Sequence, residues 1–518
     1  MRQGKTATAR LIQRARGFRY SLVWEGIAVG AAAGLVTVLF RLLLSQGDAL
    51  RQALGELLTG QPWLLPLWLV ALLVLAALVT LLLRWEPLIS GSGIPQVEGE
   101  LQGHLSQTWW RVLLAKFVGG LLTIGAGLSL GREGPSIQLG AMAGKGVSRL
   151  CRRDVTEERM LLTCGASAGL SAAFNAPLAG VLFSLEELHK DFSTDVLLST
   201  MSASITADFI SRTLFGLGPV FSFPELSMMP LAHYWMVLLL GALLGLVGGF
   251  YNFCVAKAQD LYAKIPWAYV RAVLPFLLAG VLLVVYPAVL GGGHNLVEAV
   301  SQDQALQGLL VLFAVKFLFS MASFGAGVPG GIFLPLLVLG AVTGGVYSRL
   351  LENLLGIDGK YIAAFVVLAM AGYFAAIVHA PVTGVVLITE MTGDFRSLLG
   401  LVMVSLIAFV ISERLGTEPI YTQLMNRSSG KRYNVPKQRK SIIDDIVHPG
   451  SIMDGKRIMD MGLPLGALIV SVIREEQEFI PDGHTILRGG DVIEVLLREE
   501  DLAEVEHIIE EECKKVRL

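Results

Sequence analysis

The sequence predicts an all-α polytopic membrane protein built of two related halves, followed by a small α/β domain. Three observations predict it: a hydrophobic, charge-poor composition, an internal repeat of about 200 residues, and a change of texture after residue 425. The chain is 53% hydrophobic and 16% charged, with a mean hydropathy of +0.62. Soluble chains are usually about 25% charged. Apolar runs lie at 63–83, 235–250, 272–286, 309–321 and 399–411. A full span takes about 20 apolar residues, and several runs are shorter and broken by glycine or proline. Such runs read either as backbone lining a cavity or ion path, or as helices buried inside the bundle.

The ends set an orientation. Arg2, Lys5, Arg10, Arg14, Arg16 and Arg19 occupy an acid-free stretch, and the first apolar run begins near Ile27, so 1–19 reads as a cytoplasmic basic segment rather than a cleavable signal. Lys431, Arg432, Lys437, Arg439 and Lys440 follow the last apolar run. By the positive-inside rule both ends are cytoplasmic, which implies an even number of crossings of the cell membrane. A net charge of -2 gives no reason to expect nucleic acid as a partner. Cys151, Cys164, Cys254 and Cys513 form no CxxC pair and fit reduced thiols. No nucleophile–base pair or metal-ligand spacing appears, so neither an enzyme nor a required cofactor is expected. A TVGYG-like carbonyl filter, the mark of a potassium pore, is also missing.

The repeat organises residues 20–425. At an offset of 200, GREGP (131–135) lands on GIFLP (331–335), GSGIPQVE (91–98) on GGGHNLVE (291–298), and GAMAGKGVSRL (140–150) on GAVTGGVYSRL (340–350). Lys116-Phe117 lands on Lys316-Phe317. The offset then becomes 203 to 204, where AGLSAAFNAPLAGVLFSLEE (168–187) matches AGYFAAIVHAPVTGVVLITEM (371–391). Paired halves are a transporter pattern, with the substrate site at their interface near the midplane. GSGIP, GREGP and GIFLP have the form of helix starts, whose free N–H groups and partial positive charge suit an anion. The repeat alone leaves open whether the halves are inverted.

Positions shared by both halves belong to the fold; positions that differ are candidates for chemistry. Glu186 faces Glu390, so both read as capping or pairing groups. Ser92 faces Gly292, Arg132 faces Ile332, Glu133 faces Phe333 and Glu187 faces Met391. Drift also produces such differences, but an ionisable group inside a membrane costs roughly 2.5–3.5 kcal/mol or more, which makes Glu133 the prime functional candidate.

GSGIP, GREGP, FNAPLAG with its following glutamate pair, GIFLP and a tyrosine in EPIY, in that order over about residues 20–424, resemble the CLC family of chloride channels and chloride/proton exchangers. The resemblance implies an inverted-repeat bundle of about eighteen helices, some broken or re-entrant, in a homodimer with one anion path per subunit. It implies that the hydroxyls of Ser92 and Tyr421 and the amides of Ile332 and Phe333 hold a dehydrated chloride. Glu133 takes the place of the external gating glutamate and Glu187 that of the internal proton glutamate, with Lys116 and Arg132 as electrostatic support. Many channel-type members are apolar at the position of Glu187, which favours proton-coupled exchange over a passive voltage- or proton-gated channel. A fluoride exporter of the same fold typically departs at the GSGIP serine and the GREGP arginine, both present here. Taken alone, Ser92 also reads as an N-cap, Tyr421 as an interfacial belt tyrosine, and Glu187 as a structural partner for an N-terminal arginine. His379, opposite Asn175, reads as a buried polar residue.

Residues 426–440 read as a basic linker, and 441–518 as a small mixed domain. ALIVSVIR (467–474) and VIEVLLR (492–498) read as strands, PDGHTILRGGD (481–491) as turns, and 502–516 as a helix. The pattern resembles the TrkA C-terminal domain of potassium-uptake regulators, where many CLC proteins carry CBS domains. It implies a cytoplasmic regulatory module that pairs with a second copy. In some relatives such modules bind cyclic di-AMP, but no residue here specifies a ligand.

Overall fold

The computed structural model describes residues 2–190, 193–223, 227, 229–302, 305–428, 440–461, 463, 467–475, 477–498 and 513; the side chains of 2–20 lie outside the description. The chain divides into two compact units, Met1–Ser428 and Ser429–Leu518.

The first unit is helical throughout. Its helices are α1 (Arg2–Gly60), α2 (Leu65–Trp85), α3 (Ile94–Leu101), α4 (Trp109–Gly125), α5 (Glu133–Leu150), α6 (Val155–Phe174), α7 (Pro177–Phe183) and α8 (Thr194–Phe215), then α9 (Tyr234–Ala263), α10 (Ala268–Val285), α11 (His294–Val300), α12 (Leu306–Gly325), α13 (Phe333–Leu355), α14 (Ile362–Val378), α15 (Pro381–Thr392), α16 (Leu398–Arg414) and α17 (Ile420–Ser428). The repeat is therefore α1–α8 on α9–α16. It extends beyond the matched motifs to the first helix of each half. The basic N-terminal stretch is not a separate segment: it opens α1. Seven helices among the described residues are long and apolar enough to cross a membrane. By contrast α3 and α11 have 8 and 7 residues, as short, broken helices require.

Packing repeats as well: α5 lies on α6 as α13 lies on α14, and α1 on α8 as α9 on α16. The all-apolar α14 is buried along its whole length, the pattern of a helix enclosed on every side. Asn175 and His379 end α6 and α14 in the left-handed conformation (φ 53° and 65°). Each is bonded to a serine of the following long helix, Ser211 at 2.9 Å and Ser412 at 3.3 Å. His379 is thus a helix terminator, half-buried rather than the buried polar residue expected from its sequence. Arg41, which sequence reasoning passed over, donates to Ala172 O (2.5 Å) and to Asn175 Oδ1 (2.9 Å). Its counterpart in α9, Asn252, donates to Ile377 O at 3.1 Å.

Two reciprocal contacts join the halves. Glu390, near the end of α15, accepts from the Leu178 and Ala179 amides at the start of α7 (3.1 and 2.8 Å). Glu186, just past the end of α7, accepts from the Val382 and Thr383 amides at the start of α15 (3.4 and 2.8 Å) and from Thr383 Oγ1 (2.6 Å). Each helix start is capped by the other helix's end, so these repeat-related helices lie antiparallel and the halves are inverted. Both glutamates are structural caps, as their symmetry predicts. The second contact is an antiparallel backbone bridge between Gly131 and Gly331, with N–H···O distances of 2.7 and 2.8 Å. These residues are equivalent under the repeat, so the pseudo-twofold axis passes between them.

The second unit is an antiparallel sheet of order β1-β4-β2-β3, with β1 at Lys440–Ile446, β2 at Leu468–Arg474, β3 at Gln477–Phe479 and β4 at Val492–Arg498. β2 and β4 match the strands read from sequence. β1 and β3 were missed: β1 begins inside the stretch read as linker, and β3 is only 3 residues long. The expected helix at 502–516 lies outside the described residues, apart from the helical Cys513. Val472, Ile493, Val495 and Leu497 form the sheet's buried face, and Leu487 from the loop before β4 belongs to the same buried cluster. Arg474 holds Asp491 with two bonds, Nε to Oδ1 at 2.7 Å and an NH2 bond to Oδ2 at 2.6 Å, and the Arg488 amide adds a third at 2.8 Å.

Two outcomes follow. Glu186→Ala and Glu390→Ala each leave helix-start amides unsatisfied, which costs about 1–3 kcal/mol; thermal unfolding in detergent should show comparable drops for both. In the second unit burial opposes ionisation of Asp491. The Arg474 side chain, the Arg488 amide and the two positive charges outweigh it and hold the carboxyl below the usual carboxylate range. A folded pKa below the unfolded value gives stability that is complete above about pH 4 and is lost as pH falls through the folded value. Asp491→Asn should therefore weaken hydrogen-exchange protection of β4 near pH 7, with the difference from wild type closing under acid conditions.

Candidate functional site

Three helix starts converge beside the Gly131–Gly331 bridge. α3 begins after the turn Gly91-Ser92-Gly93, in which both glycines are left-handed (φ 64° and 91°). No L side chain adopts that pair of conformations cheaply. The glycines of GREGP have another purpose. A Cβ on Gly134 would meet Ser92 O at 2.8 Å and Ser92 Cβ at 2.9 Å, so Gly134 lets α5 press against the Ser92 turn. A Cβ on Gly131 would come within 3.0 Å of the Leu334 amide in the first turn of α13. The first amides of α5 and α13, including those of Ile332 and Phe333, have no acceptor one turn back and face this junction.

Glu133 is the first residue of α5. Its side chain is 0% exposed, and neither carboxylate oxygen has a hydrogen-bond partner among the described residues. Oε2 crowds the Cα of Gly131, and Arg132 Nε stands 3.8 Å from Oε1. On that side Arg132 opens onto a cavity of about 940 Å³ that also exposes Arg51, His294, Gly292 and Leu334. The carboxylate thus sits between a polar cavity, lined by Arg51 and Arg132 and also by Asp48 and Glu56, and the Ser92 turn, next to the positive ends of two helices.

Ser92 is buried; its Oγ accepts only a long bond from the Ile94 amide (3.4 Å). This is a weak N-cap, and the hydroxyl proton is committed to no acceptor among the described residues. Tyr421, at the start of α17, is 0% exposed with an unpartnered hydroxyl, which rules out the belt reading. α17 packs on α3. The Tyr421 ring meets Phe183 edge-on at 6.2 Å, and Phe183 in turn meets Phe333 at 6.2 Å. The phenyl of Phe333 goes into that aromatic cluster and leaves its amide at the junction.

The second half shows why its equivalent site is closed. A Cβ on Gly292 would strike Leu334 Cδ2 at 2.6 Å. In one half a side chain stands at 92 and glycine at 134; in the other glycine stands at 292 and leucine fills the space from 334. Lys116 sits beside the Ser92 turn. Its ammonium donates to Ile89 O (2.8 Å) and Gly91 O (2.6 Å), and Lys316 donates to Val289 O and Gly291 O at 2.9 and 2.7 Å. Each lysine clamps the turn before its own short helix.

Glu187 lies in a π-helical turn (Ser184–His189) that continues α7. The wider turn sends Glu186 to its capping partner and Glu187 inward. Glu187 is 5% exposed and its Oε1 has no partner among the described residues. Its sequence neighbour is thus fully bonded while it is not. A π turn often marks a functional position, and nothing in the residue pattern announces it. Chemically, the site offers unmade hydroxyl and amide bonds, a polar cavity on one side, and two buried carboxylates with oxygens unbonded among the described residues. That set can hold an anion and carry a proton.

Gly134→Leu should displace the Ser92 turn and lower the thermal unfolding midpoint by several degrees. Adding Ser92→Gly, which recreates the arrangement of the other half, should recover most of that loss. A single variant as stable as wild type would show that the close approach is not needed.

Residues 74–413 match the family model described as voltage gated chloride channel, and residues 443–510 match the TrkA-C domain model. The H(+)/Cl(-) exchange transporter ClcA of Vibrio cholerae serotype O1 is 35% identical over 433 residues, covering 79% of this chain and 90% of that protein. The protein of the same name from Klebsiella pneumoniae subsp. pneumoniae is 35% identical over 441 residues, covering 82% and 92%. The crystal structure of a slow cyanobacterial Cl-/H+ antiporter superimposes with a TM-score of 0.75 at 32% identity, covering 79% of this chain and 98% of that one. A CLC-type fluoride/proton antiporter shares the fold with a TM-score of 0.65 at 24% identity. On the family match, the relatives and the inverted helical repeat together, the chain belongs to the voltage gated chloride channel family and carries a TrkA-C domain after its membrane region.

Proposed function

We propose that the protein exchanges chloride for protons across the cell membrane, and that Glu133 links the two ions. The observation that carries this reading is the Glu133 carboxylate: fully buried, without a hydrogen bond, and set beside the first amides of α5 and α13. Chloride is a diffuse single charge that hydroxyls and amides can hold without trapping; transport requires a site weak enough to leave. The hydroxyls of Ser92 and Tyr421 and the amides of Ile332 and Phe333 are the donors in this reading. The ionised Glu133 carboxylate competes with chloride for the same positive helix ends. A proton on it removes its charge, and with that its hold on the place. Arg132 places a positive charge where the cavity meets the site, and Glu187 passes protons from the cytoplasmic side.

Glu187 is also what favours exchange over the second reading, a passive chloride channel with the same pore. Fluoride as substrate is less favoured, because Ser92 and Arg132 are both present. We further assign residues 20–425 to the transport domain and 441–518 to a cytoplasmic regulatory domain, with both termini cytoplasmic and the subunit working in a homodimer. The TrkA-C domain supports pairing of two copies and a role in control; a nucleotide such as cyclic di-AMP is the ligand to try there first.

Paired chloride and proton fluxes in liposomes test the reading. Wild type should move protons against their gradient when given a chloride gradient; a chloride flux without proton movement would favour the channel. Glu133→Gln and Glu187→Gln should each cut the proton-to-chloride flux ratio at least about tenfold. Tyr421→Ala should weaken chloride binding by roughly tenfold in calorimetry, the loss of about one charge-assisted hydrogen bond.

A further inference from the structure

Glu187 has company at its end of the molecule. The π turn packs against α3, and α3 carries Glu98, which is 0% exposed. Glu98 Oε1 accepts from Lys190 Nζ at 2.6 Å and from Gln102 Nε2 at 3.0 Å, while its Oε2 has no partner among the described residues. Glu187 Oε1 is in the same condition. Lys190 terminates the π turn in the left-handed conformation (φ 57°). That state costs an ordinary side chain roughly 1–2 kcal/mol. The backbone bends so that the lysine reaches back from three residues beyond Glu187 to Glu98. Its side chain is 45% exposed, whereas that of Glu98 is 0% exposed. An ammonium open to water therefore touches a carboxylate that is not.

The two halves sharpen the point. Glu98 has an exact counterpart in sequence, Glu298, whose Oε1 accepts from the Ser222 amide at 2.9 Å. In the first half that backbone partner is replaced by an ammonium, and one oxygen is left unbonded. Positions 187 and 190 face Met391 and Asp394, and Asp394 bonds to Arg396 and Ser397 instead. The fold shares the carboxylate at 98 and 298. Only the first half adds a second carboxylate and a cation to it.

From the geometry we infer that Glu98, Glu187 and Lys190 form one proton station, in which Lys190 is a positioning residue. It reaches in from water and keeps one of the two carboxylates ionised, so that the pair carries a single exchangeable proton. This rests on the reading of Glu187 as the internal proton residue. A proton taken up adds one O–H bond to a carboxylate and is released from the same oxygen; no other bond changes. Among the described residues, the charged and titratable groups around Glu187 are Glu98 from α3, with Lys190, Glu186 and His189 from its own turn. Glu186 is held by the α15 amides, and His189 Nδ1 lies 3.2 Å from Thr163 Oγ1 of α6. α7 contributes no charge, and α17 contributes the neutral phenol of Tyr421.

The test is the proton-to-chloride flux ratio of the full-length protein in liposomes as a function of pH, which the amount of folded protein does not move. Removing a cation makes nearby carboxylates hold their protons to higher pH, by about one unit or more for a partner within 4–6 Å. Lys190→Met should therefore move the midpoint of the ratio's pH profile upward by about one unit, and Lys190→Arg should leave it near wild type. Adding Glu98→Gln to Lys190→Met should bring the midpoint back toward wild type, because the second carboxylate is gone. A Lys190→Met profile that follows wild type at every pH overturns the station, as does a shift undiminished in the double variant. If Glu187→Gln itself stays coupled, the reading of Glu187 fails instead; if Glu187→Gln uncouples while Lys190→Met changes nothing, only the station fails.

Discussion

The Gly131–Gly331 bridge constrains everything around it. Its two hydrogen bonds join equivalent atoms of the two halves, so the backbones meet with no side chain between them. Immediately after each glycine a helix begins. Two helix starts are thus held side by side, each with free N–H groups and a partial positive charge. Left alone, these ends repel one another and lack acceptors. An anion between them answers both problems, and Glu133 is the anion the chain itself brings. In the proposed exchange, the carboxylate and a diffusing anion compete for this one position.

Around this point the structure keeps its symmetry wherever it needs strength. The Glu186 and Glu390 caps, the Lys116 and Lys316 clamps and the left-handed helix ends at Asn175 and His379 occur in matched pairs. Among the described residues, Glu133, Glu187 and Tyr421, which the other half does not repeat, and one oxygen of Glu98 are among the buried polar groups left unbonded. Buried polar groups without partners are costly, and proteins tolerate them mainly at functional positions. The exchange of Ser92–Gly134 for Gly292–Leu334 shows how a symmetric frame yields one open site. The same volume is filled by a polar side chain from one strand of the pair or by leucine from the other.

The TrkA-C domain obeys simpler physics. Its sheet is closed by a bidentate arginine–aspartate pair at the base of β4 and by a small apolar face. β2 and β4 were legible because each alternates or runs apolar over seven residues. β3 was not, because three residues carry no readable period, and β1 was masked by the basic stretch before it.

By itself the sequence determined the membrane class, the duplicated core, the helix starts at GSGIP, GREGP and GIFLP, and the short list of asymmetric polar residues. It could do so because composition, periodicity and repeated motifs are properties of the chain order. The inversion of the halves, the π turn at Glu187, the Lys116 clamp and the Glu98–Lys190 pair were decided only by tertiary structure. Each depends on which atoms lie across a gap from residues far away in sequence, or on a helix that widens by one residue under packing. Even GREGP changes meaning at that level. Its glycines are there to let Gly131 meet Gly331 and Gly134 meet Ser92, and that closeness encloses the Glu133 carboxylate.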